Sequence, residues 1–197
     1  MDLETIRIPM KYFLLRKLIH FLFGIISIIA LLFIPQITPY LLSLAAVLFI
    51  VFDLWRRREG KWRKLFYDTF GKMLKSSESK GRITGATTFL MTIAGLSFSF
   101  PQNIVMVAIL ILSISDPLAS ITGSLFPVKK IRNEKSLVGS TTFFLSSLVI
   151  YYFALPVLVI PLVFASLVIT LIELFAPEIL ENILIGFGAA TIFVLIY

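Results

Sequence analysis

Seven long apolar runs occupy most of this 197-residue chain and restrict what it can fold into. A helix needs about 20 apolar residues to cross the hydrocarbon core of a bilayer. Helices are favoured there because they satisfy their own backbone hydrogen bonds where water is absent. The sequence therefore predicts an all-α, polytopic membrane bundle of about seven transmembrane helices. The predicted spans lie at about 18–34, 39–54, 83–100, 103–125, 137–154, 156–175 and 179–197.

Little of the chain lies outside these runs, since apolar residues make up 58% of the sequence. We therefore expect a single integral-membrane domain over residues 1–197 rather than a soluble domain with an anchor. The sequence contains no Cys, which excludes disulfide bonds and thiolate metal sites.

Positive charge is confined to alternate connections between the predicted spans. All 18 Lys and Arg lie before the first span, within residues 56–82, or between the fourth and fifth spans. Cytoplasmic loops of membrane proteins carry this excess of Lys and Arg. The pattern predicts a cytoplasmic N-terminus and an external C-terminus. The 11 Asp and Glu also lie on or near the side predicted to be cytoplasmic.

Residues 55–82 form the one long polar segment of the sequence. Its basic residues are interspersed with apolar residues at near-helical spacing, which favours an amphipathic helix lying on the cytoplasmic leaflet. A basic loop is the alternative interpretation. The apolar positions are Trp55, Trp62, Phe66, Phe70 and Leu74.

Three carboxylates lie within or at the edge of apolar runs, namely Asp53, Asp116 and Glu173. A carboxylate is costly there unless it faces a cavity, a cation or a polar partner. Each of the three is therefore a candidate site residue. Glu173 has a second interpretation, as a helix-end residue whose side chain reaches water.

Asp116 precedes a proline in the sequence SISDPLASITGS. Proline lacks a backbone donor and disfavours helical geometry in the residue before it. We therefore expect the chain to break near Ser115 and to restart with Pro117 in the first turn of a helix. On that helix Asp116, Ser120 and Gly123 share one face. The small residues fit close helix packing, and together with Asp116 they fit a polar cavity.

The sequence VKKIRNEKSLVGS leads into the next apolar run. Ser136 is suited to cap that helix, and a helix start offers free N–H groups and a positive dipole end to an anion. Lys129, Lys130 and Lys135 would neutralise a polyphosphate, and Gly139 would let it approach the backbone. The alternative is an ordinary positively charged loop capped by Ser. Beside a carboxylate that can hold Mg²⁺, however, this helix start supplies the parts that phosphoryl transfer needs.

These segments resemble the CTP-dependent polyprenol kinases, a family that comprises dolichol kinase, phytol kinase and the yeast-type CTP-dependent diacylglycerol kinase. That family has Asp-Pro-x-Ala-x-x-x-Gly, a basic loop and then Lys-Ser-x-x-Gly-Ser. Here the two motifs read DPLASITG at 116–123 and KSLVGS at 135–140. Looser matches extend the resemblance over nearly the whole chain. They are Arg16, Lys17 and His20 in the first span, Glu78 and Gly85 around the start of the third, and the pair Glu181 and Asn182.

Two departures from the family pattern concern glycines. Ser115 stands where the family usually has Gly before Asp-Pro, and Phe126 and Pro127 stand where it has a second Gly. We therefore expect the loop to approach phosphate differently in detail. The related phosphatidate cytidylyltransferases share a distant version of the segment, but their Lys-Asp…Pro-Gly-His-Gly-Gly signature is missing from this sequence.

The resemblance implies a kinase that transfers the γ-phosphate of CTP to the hydroxyl of a membrane lipid alcohol, giving a lipid monophosphate and CDP. The acceptor would be a dolichol, polyprenol or phytol type of isoprenoid alcohol, or diacylglycerol. The resemblance also implies Mg²⁺ as cofactor, the phospholipid bilayer as surroundings and an active site that faces the cytoplasm. No nucleic-acid partner is expected.

The resemblance also assigns roles to individual residues. Asp116, Lys135 and His20 would be catalytic, with Asp116 either anchoring Mg²⁺ or receiving the proton of the hydroxyl. Asp116 and Glu173 are the candidate metal ligands. The nucleotide would be held by Lys129, Lys130, Lys135, Ser136, Gly139, Ser140, Ser120 and Gly123. The supporting or substrate-binding residues would be Arg16, Lys17, Glu78 and Asn182.

Two other function classes fit the same sequence less well. A lipid cytidylyltransferase would transfer CMP instead of phosphate, but it would be expected to carry the signature named above. A transporter or membrane scaffold would be expected to place charged residues near the middle of the bilayer. In this chain acids and bases gather towards one predicted surface.

Overall fold

The computed structural model describes residues 8–126, 130–132, 135–156 and 158–197. The described part is helical apart from connections and one short antiparallel pair of strands, β1 (Lys130–Arg132) and β2 (Lys135–Ser136). The first five helices are α1 (Met10–Phe33), α2 (Thr38–Trp55), α3 (Lys61–Phe70), α4 (Ser76–Ser79) and α5 (Gly85–Ser99). The remaining five are α6 (Gln102–Leu110), α7 (Asp116–Leu125), α8 (Leu137–Ala154), α9 (Val159–Phe175) and α10 (Glu181–Ile196).

Four helical stretches in the described part are long and apolar enough to cross a membrane, as expected of a membrane protein. The prediction of an all-α protein is therefore confirmed, and these four stretches are consistent with a membrane protein. Three further predicted spans are apolar helices of 15, 17 and 16 residues, namely α5, α9 and α10. The four long stretches are α1, α2, the continuous run Gln102–Leu125 and α8.

Helix α1 begins earlier than predicted, at Met10 rather than near residue 18. The prediction placed the boundary where the apolar run begins, but the helix continues through the polar residues that precede it. As a result Arg16 and Lys17 lie on the helix itself, followed one turn later by His20. Their backbone positions are therefore fixed by α1, in agreement with the placement of these residues in the first span.

The core lies between α5, α6, α8, α9 and α10. Phe89, Ile93, Ile109, Phe143 and Ile169 are fully buried there. The outer faces of α1, α2, α8 and α9 expose many large apolar side chains, including Ile26, Leu48, Phe153 and Phe164. Apolar surface of this extent is unusual for a protein in water and is suited to contact with lipid.

The predicted break near Ser115 is wrong. The backbone continues from α6 into α7 through a π-helical turn, Ile111–Ser115. At its end the N–H of Asp116 donates to the carbonyl of Ile111, five residues earlier. The wider turn accommodates Pro117, which has no N–H to donate, without interrupting the helix. Asp116 is the first residue of α7, as predicted, and Pro117 lies in its first turn.

The polar segment at 55–82 is helical in pieces. Its main helix is α3, which is followed by a 3₁₀ turn at Gly71–Met73 and then by the short α4. Helix α3 buries Phe66 and exposes Trp62 and its basic residues. The amphipathic helix α3 therefore covers only the middle of the segment. It ends at Phe70, and the 3₁₀ turn that follows ends where Leu74 adopts an extended conformation.

Candidate functional site

A small polar cavity lies where α5, α7 and α10 begin, beside the first half of α1. Its volume is about 50 Å³, and the segment 75–83 forms one of its walls. Residues that are far apart in the sequence meet here because four helices converge. The charged and amide side chains that line it include Arg16, Lys17, His20, Glu78, Asp116 and Asn182.

Asp116 forms an ion pair with Lys17 across this cavity. The Lys17 Nζ lies 3.0 Å from Asp116 Oδ2, and the two residues are 99 positions apart in the sequence. Both side chains are largely buried, and a buried carboxylate needs such a partner. The pair connects α1 to the π turn and the start of α7. The expected polar surroundings of Asp116 are therefore present, with a cation as its direct partner.

Arg16 forms a two-point contact with Glu78. Its Nη1 and Nη2 lie 2.5 and 2.7 Å from the two carboxylate oxygens, and Nη1 also reaches the carbonyl of Met73 at 3.3 Å. The Glu78 carboxylate also accepts hydrogen bonds from the backbone N–H groups of Lys75 and Gly85, both at 2.8 Å. Burial alone would raise the pKa of Glu78, but the Arg16 guanidinium and the two N–H donors lower it.

Glu78 should make the stability of the fold depend on pH. Because the folded-state pKa of Glu78 is below its usual value of 4.5, its contribution to stability is complete above that value. The contribution is lost as the pH falls through the lowered pKa. We expect the wild type to be more stable than Glu78→Gln at pH 7 and the difference to shrink in acid. Detergent unfolding titrations from pH 7 to pH 3 measure this, and a constant difference would contradict it.

His20 and Asn182 complete one wall of the cavity. The His20 ring nitrogens lie 3.2 Å from the carbonyl oxygen of Arg16 and 3.3 Å from that of Gly85, and the ring meets Phe89 edge-on. Asn182 donates to the same Gly85 carbonyl at 3.1 Å. A neutral imidazole has one N–H, so it can donate to only one of its two carbonyls at a time. The structure therefore brings His20 and Asn182 together at Gly85, at the start of α5.

Lys135 is bound to two carboxylates on neighbouring helices. Its Nζ lies 2.6 Å from Glu173 Oε1 and 2.9 Å from Glu181 Oε1, and it also donates to the Glu173 carbonyl. Burial alone would lower the pKa of Lys135, but Glu181 and Glu173 raise it. Lys135 thus joins β2 to the end of α9 and the start of α10. A nucleotide phosphate at Lys135 would have to compete with these two carboxylates.

Glu173 is engaged by Lys135 rather than presented to the Asp116 cavity. One of its oxygens, Oε2, is buried and has no hydrogen-bond partner among the described residues. This arrangement differs from the alternative interpretation of a side chain that reaches water, because the side chain is only 8% exposed. Lys135 explains the burial, since an opposite charge offsets much of the desolvation cost.

The start of α8 has the predicted cap. Ser136 Oγ accepts a hydrogen bond from the N–H of Gly139 at 3.1 Å. Helices α7 and α8 pack closely here, because a Cβ on Gly139 would lie 2.8 Å from the Ala119 carbonyl oxygen. A Cβ on Gly123 would lie 2.7 Å from Ser136 Oγ. Both glycines therefore serve the close packing through small residues that the sequence offered as one interpretation.

The other predicted nucleotide-binding residues are distributed around these elements. Ser120 lies on α7 and Ser140 on α8, and both are half-buried. Lys130 is exposed on β1. Lys129 lies outside the described residues.

Arg56 is a structural residue that the sequence reasoning missed. It is 3% exposed, and its Nε lies 2.8 Å from Asp53 Oδ1. Its other nitrogens donate to the backbone carbonyls of Glu78, at 3.0 Å, and Arg82, at 2.5 Å. Arg56 thereby attaches the cavity wall to the end of α2. The three-residue spacing from Asp53 was the available sequence signal, because side chains three apart are neighbours on a helix.

Asp53, one of the three candidate carboxylates, holds the start of α5. Its Oδ2 accepts from the N–H of Thr84 at 2.8 Å and from the hydroxyls of Thr84 and Thr87 at 3.1 and 2.6 Å. With Arg56 on the other oxygen, the carboxylate is fully engaged by the protein. The structure therefore gives Asp53 a role in the fold.

Asp116 fits a divalent cation better than Glu173 does. Mg²⁺ commonly takes one or two carboxylates and completes its shell with water and substrate phosphates. Both carboxylates are paired with a lysine, Asp116 with Lys17 and Glu173 with Lys135, but only Asp116 lines the polar cavity. Across the described residues, no group of three or more His, Asp or Glu is arranged to hold a metal ion.

The fold and the cavity define an all-helical protein with four helical stretches long and apolar enough to cross a membrane, and with buried ion pairs at one end. The chain is 34% identical over 143 residues to "Uncharacterized protein RP860" of Rickettsia prowazekii (strain Madrid E), a match that covers 68% of this chain and 67% of that protein. The chain belongs to the same family as that Rickettsia protein. No protein-family model matches the sequence, and no solved structure matches it significantly.

Proposed function

We propose that this protein is a CTP-dependent lipid kinase similar to the polyprenol kinases. It would transfer the γ-phosphate of CTP to the hydroxyl of an isoprenoid alcohol or diacylglycerol, producing a lipid monophosphate and CDP. The observation that carries the proposal is the convergence in one cavity of Arg16, Lys17, His20, Glu78, Asp116 and Asn182. These residues come from separate segments of the sequence, and the resemblance assigns a role to each of them.

The proposed reaction forms a bond from the lipid oxygen to the γ-phosphorus and breaks the bond from that phosphorus to the β-phosphate oxygen of CTP. CDP leaves with that oxygen, and the hydroxyl proton passes to the Asp116 carboxylate and from there to water. Lys17 and Arg16 would stabilise the negative charge on the transferring phosphoryl group, a major contribution in phosphoryl transfer. Positioning of the two substrates would supply much of the remaining rate.

Mg²⁺, when bound with CTP, would neutralise the phosphates. In the alternative role, Asp116 would be the protein ligand of this ion instead of the proton acceptor, and the hydroxyl proton would pass directly to water. The Asp116 carboxylate would then exchange its contact with Lys17 for the metal or for the lipid hydroxyl. Lys17 would be released towards the phosphates. The ion pair therefore holds both side chains in place in the absence of substrate.

Access for CTP requires the cavity to open. Its volume of about 50 Å³ accommodates one or two water molecules at about 30 Å³ each, far less than a nucleotide. The wall at 75–83 is the part to move, since it belongs to the polar segment outside the predicted spans. An exposed ion pair between Lys75 and Glu178, 3.1 Å apart, would break as it opens. Exposed pairs of this kind contribute about 1 kcal/mol or less.

The proposal includes a membrane topology. All seven predicted spans would cross the bilayer with the N-terminus in the cytoplasm, which places every Lys and Arg on the cytoplasmic side. The cavity would then open at the inner leaflet. CTP would enter from the cytoplasm, and the lipid hydroxyl would arrive from the membrane between helices.

A screen of acceptors tests this function. The purified protein in detergent micelles would be incubated with γ-labelled CTP or ATP, Mg²⁺ and, separately, dolichol, a shorter polyprenol, phytol, geranylgeraniol and diacylglycerol. We expect label in at least one lipid with CTP as the better donor. Absence of labelled lipid for all acceptors and both nucleotides, with folded protein, would contradict the proposal. If ATP were the better donor, the assignment of CTP would be rejected, but the assignment of a lipid kinase would stand.

A further inference from the structure

An apolar groove lies between the end of α2 and α3, away from the residues of the polar cavity. Its volume is about 200 Å³, four times that of the cavity. Its lining is mainly aromatic and aliphatic, with Thr69 as a small residue among large ones. The main lining residues are Phe52, Trp55, Trp62, Leu65, Phe66 and Phe70.

The walls of the groove are held by contacts between rings. Phe66 packs against Phe52 with ring centroids 5.3 Å apart and against Phe70 at 5.5 Å. The guanidinium of Arg56, itself fixed by Asp53, lies 5.4 Å from the Phe66 ring centroid. Trp55 and Trp62 face each other at 5.3 Å at the junction of the two helices. The groove is therefore preformed, a property typical of ligand sites.

The groove leaves large apolar side chains exposed, which is unfavourable in water. Trp62 is 61% exposed and Leu65 is 57% exposed, on a helix that also carries Lys61, Arg63, Lys64 and Asp68. Trp side chains are enriched at the level of the lipid headgroups, where one part of the ring is apolar and another is wet. An acyl chain is the occupant that matches such a lining.

The surroundings of the groove are strongly basic. Residues 56–64 contain six Lys or Arg and one acid, Glu59. Arg57, Arg58, Lys61 and Lys64 are exposed there. Such a cluster next to an apolar groove complements a molecule with an anionic head and an apolar tail. A neutral lipid alcohol would leave these cations unmatched.

We propose that this groove binds an anionic phospholipid of the bilayer. One acyl chain lies along the aromatic lining, and the headgroup phosphate lies against the exposed cations of residues 57–64. The site is separate from the proposed kinase chemistry and does not depend on it. Its occupancy would hold α3 on the membrane surface beside the wall of the polar cavity, because Arg56 contacts both.

Intrinsic fluorescence reports on this groove directly, since Trp55 and Trp62 are the two Trp residues of the chain and both line it. The full-length protein would be reconstituted in vesicles of phosphatidylcholine with increasing brominated phosphatidylglycerol or, separately, brominated phosphatidylcholine. Bromine quenches a Trp that it contacts. We expect phosphatidylglycerol to bind about fivefold or more tightly than phosphatidylcholine, as one to two lysine contacts would give.

Variants separate the head and tail contributions. Lys61→Gln with Lys64→Gln should bring the preference for phosphatidylglycerol close to one, while the matched Lys80→Gln, also exposed but outside the basic cluster at 57–64, should leave it intact. Thr69→Phe, or Thr69→Leu as a smaller plug, should weaken quenching by both lipids. Equal quenching by the two lipids in the wild type would overturn the proposal. So would a preference that survives both the charge and the plug variants, which would indicate surface attraction without a groove site.

Discussion

Replacing Asp116 with Asn should lower lipid phosphorylation by at least about 100-fold, the lower bound of the effect expected from losing a positioned acid–base group. Asn keeps the size of the side chain but has no charge to offer a metal, and it cannot take up the hydroxyl proton. The rate of label transfer from γ-labelled CTP to the lipid measures the effect. Full activity in this variant would show that Asp116 has no part in the reaction.

A fold control is needed because Asp116→Asn leaves Lys17 without its carboxylate. Removing one partner of a buried pair commonly costs about 3–5 kcal/mol. The double variant with Lys17→Gln removes both charges and should recover stability but not activity. Asp68→Asn, on the exposed side of α3, is the matched change and should affect neither property. Recovery of activity in the double variant would contradict a chemical role for Asp116.

Replacing Arg56 with Met should destabilise the protein by about 3–5 kcal/mol, as expected when one partner of a buried ion pair is removed. Its Nε–Asp53 contact is almost fully buried, and two backbone carbonyls of the cavity wall would lose their donor. Met roughly preserves the length of the side chain and its apolar stem. The free energy of unfolding in mixed micelles, titrated with a denaturing detergent, measures the loss.

The neighbouring Arg57→Met is the matched control, since Arg57 is exposed. We expect it to change the unfolding free energy by about 0.5 kcal/mol or less, as is usual for surface substitutions. Equal effects of the two substitutions would contradict the structural role of Arg56. Equal effects would also show that Arg56 does not stabilise the attachment of the cavity wall to α2.

Much of the architecture could be predicted because apolar runs and helix length are tied together by the thickness of the bilayer. The seven predicted spans correspond to apolar helical stretches, although four of them are long enough to cross by length alone. The continuity of the chain at Ser115 was predicted wrongly, and α1 extends further towards the N-terminus than the apolar run that predicted its span. A hydropathy profile does not show that a helix continues into the polar residues that precede an apolar run. A π turn has no simple sequence signal either.

Only part of the candidate site was predictable from the sequence. Six of the predicted residues line the cavity, whereas the predicted nucleotide-binding residues that the structure describes are not among its lining residues. The sequence singled out Asp116 and Lys17, yet only the fold pairs them. It also placed Lys135 opposite Asp116, whereas the structure binds Lys135 to Glu173 and Glu181. Acids and bases that gather at one end of a bundle have many possible partners, and helix packing decides among them.

The central claim is that the γ-phosphate of CTP is transferred to a membrane alcohol. It is tested most directly by supplying CTP labelled at either the α- or the γ-position to wild type and Asp116→Asn prepared identically. The account predicts labelled lipid from γ-labelled CTP alone, CDP as the other product, and neither product with the variant. Labelled lipid from α-labelled CTP with release of pyrophosphate would contradict the account and identify a cytidylyltransferase.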